Sequence, residues 1–213
     1  MSYLSEPTVA GSPSSARSVD FPPRVTIIDE GEPARAIYQI VSGNVMISKL
    51  LPDGRRQIFE LLGPGGIFGV TPNGHHDSVA ESLTDVRLTA FDKGPAENSL
   101  SFNSFMAQLL KIQICALHEH AVLLGRKSAV ERVASYIMEL IEAPSHQAGI
   151  GSDSVTVRVL MTRSEIADYL GLTLETVSRA FSQLKRSDII AYERHDGLMQ
   201  VHIKRLRPLT GTY

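Results

Sequence analysis

Residues 162–181 constrain this chain more than any other stretch. They read Thr162-Arg163-Ser164-Glu165-Ile166-Ala167-Asp168-Tyr169-Leu170-Gly171-Leu172-Thr173-Leu174-Glu175-Thr176-Val177-Ser178-Arg179-Ala180-Phe181, the punctuation of two short helices joined by a tight turn. Thr162 can cap the first helix, and Glu165, three residues on, can complete a capping box. Ile166 and Leu170 stand four apart on one face, and Ala167 is small where a second helix must cross. Gly171 supplies the left-handed backbone that the turn needs, because it has no Cβ to clash there. Leu172 fills the corner, and Thr173 caps the second helix. Val177, Phe181 and Leu184 are spaced to hold that helix down. Together these positions predict a helix-turn-helix over 162–187.

The second helix then turns Glu175, Ser178 and Arg179 outward at its N-terminal end. In a helix-turn-helix that end enters the major groove. Arg179 can donate two hydrogen bonds to guanine O6 and N7, Glu175 can accept from cytosine N4, and Ser178 can contact either kind of base. Glu175 and Arg179 also have the spacing of a helical ion pair, and both readings can hold at once. Lys185, Arg186, Arg194 and Lys204 are candidate phosphate contacts, although each alone also reads as a solvated surface charge. The charge distribution points the same way. Residues 155–213 carry nine Lys/Arg against six Asp/Glu, and residues 1–154 carry twelve against seventeen.

The preceding chain has two textures. Residues 1–20 are rich in Ser, Pro, Ala and Gly and read as a disordered leader. From 21 to about 95, short strands alternate with turn signals: Val25–Ile28, Ile37–Val41, Val45–Ser48, Gln57–Leu62, Ser78–Ser82 and Val86–Phe91. Asp53-Gly54 marks a hairpin, and Gly63-Pro64-Gly65-Gly66 a sharp bend. Many short strands predict a β-sandwich or a barrel-like roll. From about Glu97 the apolar period becomes helical, with Phe102, Phe105, Leu109, Ile112 and Ala116 on one stripe and Met106, Leu110, Ile114, Leu117, Ala121 and Leu124 on another. One stripe can pack on the roll. The other fits either a second copy of the same helix or burial within one monomer. Gly125-Arg126-Lys127 reads as a hinge, followed by a helix with Val130, Val133, Ala134, Ile137, Met138 and Ile141 inward. After a loop at 143–154 come a strand (155–160), the helix-turn-helix, and a hairpin of 189–193 and 199–203 turning at His195-Asp196-Gly197.

These features resemble the CRP/FNR family of bacterial regulators over about residues 21–207. Leu124-Gly125-Arg126-Lys127-Ser128-Ala129-Val130-Glu131-Arg132-Val133-Ala134 is similar to the hinge and following helix of the FNR branch, and Ile166–Arg179 is similar to the FixK type within it. The resemblance implies an α+β fold: a cyclic-nucleotide-binding-like β-roll (21–95), a long dimerisation helix (96–125) and a winged helix-turn-helix (126–213). It implies a homodimer on a TTGA…TCAA palindrome in double-stranded DNA, read by Glu175, Ser178 and Arg179 with Thr173, Leu174 and Thr176 as flanking contacts. It further implies activation through RNA polymerase, in the control of oxygen-limitation, respiration or nitrogen-fixation genes.

No cofactor, metal or catalytic residue is expected. An FNR iron–sulfur cluster is held by several thiolates, whereas residues 1–114 contain no Cys and the whole chain has only Cys115. The cAMP-binding branch grips phosphate with a Gly-Glu pair and an Arg-Ser pair. Here the corresponding positions are Gly69-Val70 and Asp77-Ser78, with Glu81 nearby, so a carboxylate stands where the Arg belongs. His75-His76 and His118/His120 are weak metal or haem candidates, because the first pair sits in a loop and residues two apart on a helix point apart. Ligand or haem sensing, or a pure ligand-binding module, remain alternative readings. No phosphate-binding loop, zinc-protease motif or nucleophile elbow is present, which argues against an enzyme. The single Cys suits a reducing cytoplasm, no apolar run near eighteen residues is expected to span a membrane, and the N-terminus lacks secretory features.

Overall fold

Strand pairing begins inside the stretch that its composition marks as a leader. The computed structural model describes residues 16–94, 99–143, 153–192 and 197–211. Strand β1 (Ala16–Phe21) runs antiparallel to β8 (Val86–Asp92), with Ala16 opposite Phe91 and Phe21 opposite Val86. The leader read over 1–20 is therefore corrected for 16–20, and residues 1–15 lie outside the described part. Val19 and Phe21 alternate inward along β1, and Asp20 meets Arg87 directly across the ladder at 2.8 Å. Cross-strand pairing of this kind holds an edge strand that local composition does not announce.

The remaining roll strands are β2 (Thr26–Ile28), β3 (Ala36–Ser42), β4 (Val45–Leu50), β5 (Arg56–Leu62), β6 (Ile67–Phe68) and β7 (Val79–Ser82). They form two four-stranded antiparallel sheets, in the orders β1-β8-β3-β6 and β2-β7-β4-β5. Alternate residues of both sheets point inward, and Ile28, Ile40, Val45, Ile47, Phe68, Ala80, Val86 and Leu88 make the core. Gly43 turns β3 into β4 at φ 90°, and a Cβ there would lie 2.1 Å from the Asp85 carbonyl oxygen, so no other residue fits without displacing backbone.

Helix α1 (Leu100–Arg126) follows, and the expected start near 97 falls outside the described residues. Phe102, Met106 and Leu109 pack with Ile37, Ile67 and Phe91, the Phe91 and Phe102 rings lying 5.1 Å apart. Met106 thus belongs to the roll side, whereas the sequence reading set it on the opposite stripe. Ile112, Ile114, Leu117 and Val122 are exposed. By length and composition α1 reaches the apolarity of a membrane span, at a mean hydropathy of 1.2, which corrects the expectation that no segment would. The reason is the two-sided apolar pattern, of which one side is packed in the roll core.

The chain divides into two compact units, one through Leu117 and one from His118 to the C-terminal end. The boundary falls within α1. In the second unit α1 continues through Gly125, and Ser128 caps α2 (Ala129–Glu142) in a capping box with Glu131. Val133, Ala134, Tyr136 and Ile137 are buried. Then come β9 (Ser154–Arg158), α3 (Arg163–Leu170), α4 (Leu174–Arg186), β10 (Ile190–Tyr192), β11 (Leu198–His202), α5 (Ile203–Leu206) and a 3₁₀ turn (Arg207–Thr210). The strands form an antiparallel sheet in the order β10-β11-β9. Ile203 opens a helical turn rather than ending a strand, and most of the expected hairpin turn, 193–196, lies outside the described residues.

Candidate nucleic-acid interface

The joint between α3 and α4 is made by caps at three points. Thr162 Oγ1 accepts from the Glu165 backbone N–H at 3.2 Å, and Glu165 accepts the Thr162 N–H at 2.7 Å. Two backbone donors at the start of α3 are thereby satisfied. Gly171 ends α3 at φ 60°, ψ 40°, its N–H bonded to the Ala167 carbonyl. Thr173 caps α4 by accepting from the Thr176 N–H at 3.2 Å, and the two hydroxyls lie 2.8 Å apart. Val177, Ala180, Phe181 and Leu184 bury the underside of α4.

That anchoring leaves Thr173, Leu174, Glu175, Ser178 and Arg179 exposed, with Thr176 half-buried. Arg179 and Glu175 form an ion pair at 2.5 Å whose side chains stay 77% and 71% exposed. A pair this open to water is worth little to stability and is free to exchange for base edges. Leu174 exposes an apolar side chain at the first helical position, chemistry suited to a thymine methyl. Lys185 and Arg186 are exposed in the last turn of α4, and Lys204 pairs with Asp153 at 2.7 Å. Arg194 lies outside the described residues.

Two arginines that the sequence reading passed over hold this head in shape. Arg132 donates to the carbonyls of Leu124 at 2.7 Å, Lys127 at 2.9 Å and Leu170 at 2.9 Å. It thereby ties the end of α1 to the end of α3, next to Gly171, where a Cβ would sit 3.3 Å from Leu124 Cδ2. Arg163 stacks on Phe181 and donates to the Tyr192 hydroxyl. Neither partner set is visible in local spacing.

Behind α3 lies a buried cluster. The His120 ring stacks on Tyr169 at 4.3 Å, and both its nitrogens lack a hydrogen-bond partner. Tyr169 donates its hydroxyl to Glu139 at 3.0 Å, and Tyr136 meets Tyr169 edge-on. Burial holds the His120 pKa below its ordinary value and pushes Glu139 up to about 7. His118 is exposed, so the two helix histidines face different ways.

The roll unit holds a cavity of about 260 Å³. Its polar lining is Glu60, His76, Asp77, Ser78 and Gln113, and no Lys or Arg is among the described residues that line it. Gln113 donates to Glu60 at 2.5 Å, and burial raises the Glu60 carboxyl above its ordinary value. Burial lowers the His76 pKa, which favours a neutral ring. Glu81 does not line the cavity and lies 3.9 Å from Arg24. An entering phosphate would meet carboxyls and a neutral imidazole.

Residues 131–209 match the Crp-like helix-turn-helix domain and residues 18–101 the cyclic nucleotide-binding domain. The transcriptional activatory protein AadR of Rhodopseudomonas palustris is 33% identical, over 92% of this chain and 82% of its own length. The nitrogen fixation regulation protein FixK of Bradyrhizobium diazoefficiens is 36% identical, over the same shares of 92% and 82%. The solved structure of FixK2 from Bradyrhizobium japonicum superposes with a TM-score of 0.79 at 32% identity, covering 93% of this chain and 98% of that one.

Proposed function

The chain belongs to the CRP/FNR family of DNA-binding transcription regulators, and we propose that it is a FixK-like activator that reads a TTGA…TCAA palindrome as a homodimer. The observation that carries this reading is the exposed Glu175–Arg179 pair beside Ser178, on the outer face of a helix whose underside is fully packed. A rigid helix presents the acceptor and the forked donor at one end, as major-groove reading requires. Thr173, Leu174 and Thr176 flank the pair and serve as further contacts. Arg179 takes the half-site guanine.

The partner in the dimer is a second copy seated on the exposed stripe of α1, around Ile114 and Leu117. Two-fold symmetry of the protein then matches two-fold symmetry of the operator. The chain works in the cytoplasm, contacts RNA polymerase when bound, and serves genes of oxygen limitation, respiration or nitrogen fixation. The names of AadR, a transcriptional activatory protein, and FixK, a nitrogen fixation regulation protein, support activation and the nitrogen-fixation assignment. The roll keeps its fold without a cyclic-nucleotide phosphate site: Asp77 lines its cavity, and no Lys or Arg does among the described residues. Burying a phosphate beside carboxylates without a paired cation is strongly unfavourable.

The test is a gel shift with two duplexes, one carrying TTGA…TCAA and one with the guanine of each half-site, and its paired cytosine, changed to an A·T pair. The first should shift and the second should bind only as random DNA does. Equal binding to both would refute the reading.

A further inference from the structure

We propose that Arg163 is a positioning residue for DNA recognition: it fastens the end of β10 to the recognition helix α4, so that both reach the duplex in one register. The inference rests on the reading of α4 as the recognition helix.

Arg163 occupies the first position of α3. A cation there faces the positive end of the helix dipole, so helix stability gives no reason for it. Its side chain explains the choice. The guanidinium carbon lies 3.5 Å over the ring centroid of Phe181, the buried aromatic in the middle of α4. It lies 5.4 Å from the Tyr192 ring centroid and donates a hydrogen bond to the Tyr192 hydroxyl. Tyr192 is the last residue of β10, where the chain leaves the sheet for the hairpin tip. One side chain from α3 therefore touches both the helix that reads bases and the strand that carries the wing.

The geometry needs an arginine. A planar guanidinium can stack on an aromatic face and direct an N–H sideways at the same time. A lysine ammonium can sit over a ring but cannot do both in fixed geometry. Among the described residues Arg163 forms no ion pair. A direct contact with a DNA phosphate is therefore the rival role, and lysine would fill that role well as a point charge. The two roles differ in salt dependence. Losing a phosphate contact lowers the slope of log affinity against log salt by about one. Losing a positioning contact lowers affinity while the ionic contacts still form in the complex, and leaves the slope unchanged.

The experiment measures operator affinity of the full chain across a salt series for wild type, Arg163→Lys, Arg163→Gln, Tyr192→Phe and the Arg163→Lys/Tyr192→Phe pair. Both Arg163 variants should lose about tenfold. Tyr192→Phe should lose less, the double variant no more than Arg163→Lys alone, and every slope should match wild type. Wild-type affinity for Arg163→Lys, or a slope reduced by about one in Arg163→Gln with Tyr192→Phe silent, would overturn the proposal. Should the Arg163 variants misfold, Tyr192→Phe decides: a loss at constant slope supports it and wild-type affinity overturns it. A wild-type chain that ignores the operator removes the underlying reading as well, whereas wild-type binding with an unimpaired Arg163→Lys removes only this inference.

Discussion

The outer face of α4 and the cavity of the roll use polar residues in opposite ways. On α4, a carboxylate and a guanidinium stand in water, paired with each other and resting on four buried side chains. In the roll, Glu60 and His76 are drawn into an apolar cavity, where burial shifts each toward its neutral form. One surface keeps charge available for exchange with a ligand. The other encloses a cavity lined by no Lys or Arg among the described residues.

The largest effect should come from the face of α1 that this comparison leaves open. Leu117→Glu with Ala121→Glu places charge on the exposed stripe and should yield monomers by sedimentation. Operator affinity should fall by a factor on the order of a hundred or more, because each half-site then binds alone. Wild-type oligomer size with intact binding would remove α1 as the pairing surface.

Next in size is Arg179→Ala. The guanine contact proposed for it would be worth about 1–3 kcal/mol of discrimination per half-site. Operator affinity should approach that for random DNA while the melting temperature stays near wild type, since the Glu175–Arg179 pair is exposed. A variant that still discriminates the operator would show that other side chains read the guanine.

Arg132→Met should act on stability before recognition. It strips donors from part-buried carbonyls of Leu124, Lys127 and Leu170. A loss of roughly 1–3 kcal/mol is expected from denaturant midpoints. An unchanged midpoint would mean that water replaces the guanidinium without loss.

A smaller effect is predicted for pH. Glu139 titrates at about 7 in the folded chain against an ordinary 4.5. Between those values the folded state holds a proton that the unfolded state has released, so this group's contribution is full below 4.5 and lost as pH rises to about 7. His120 works the other way, because below 6.5 the unfolded chain takes a proton that the buried ring resists. Between 4.5 and 6.5 the two oppose each other, and above 6.5 Glu139 acts without that opposition. Glu139→Gln should flatten the decline toward pH 7 seen in thermal melts. A variant with the wild-type pH profile would assign the decline elsewhere.

What the sequence made legible follows from the range of the interactions. The head was readable because Thr162, Glu165, Gly171 and Thr173 act on backbone within a few residues. The same locality found the strands of the roll from β2 onward, apart from the two-residue β6. It missed β1, which is held by pairing with a strand some seventy residues away. It also missed Arg132 and Arg163, whose partners reach 39 and 29 residues along the chain. The stripes of α1 were visible as two, but Met106 went to the wrong one, because periodicity gives a face and not what covers it.

The smallest expected effect is none at all, and it bears on the central claim that the head reads its operator while the roll takes no cyclic nucleotide. The measurement is operator affinity of the purified chain by fluorescence anisotropy, without ligand and with millimolar cAMP or cGMP. The account predicts tight binding to the TTGA…TCAA duplex in every case, with no shift on adding either nucleotide. Binding that requires cAMP or cGMP, or is tightened by either, would contradict it.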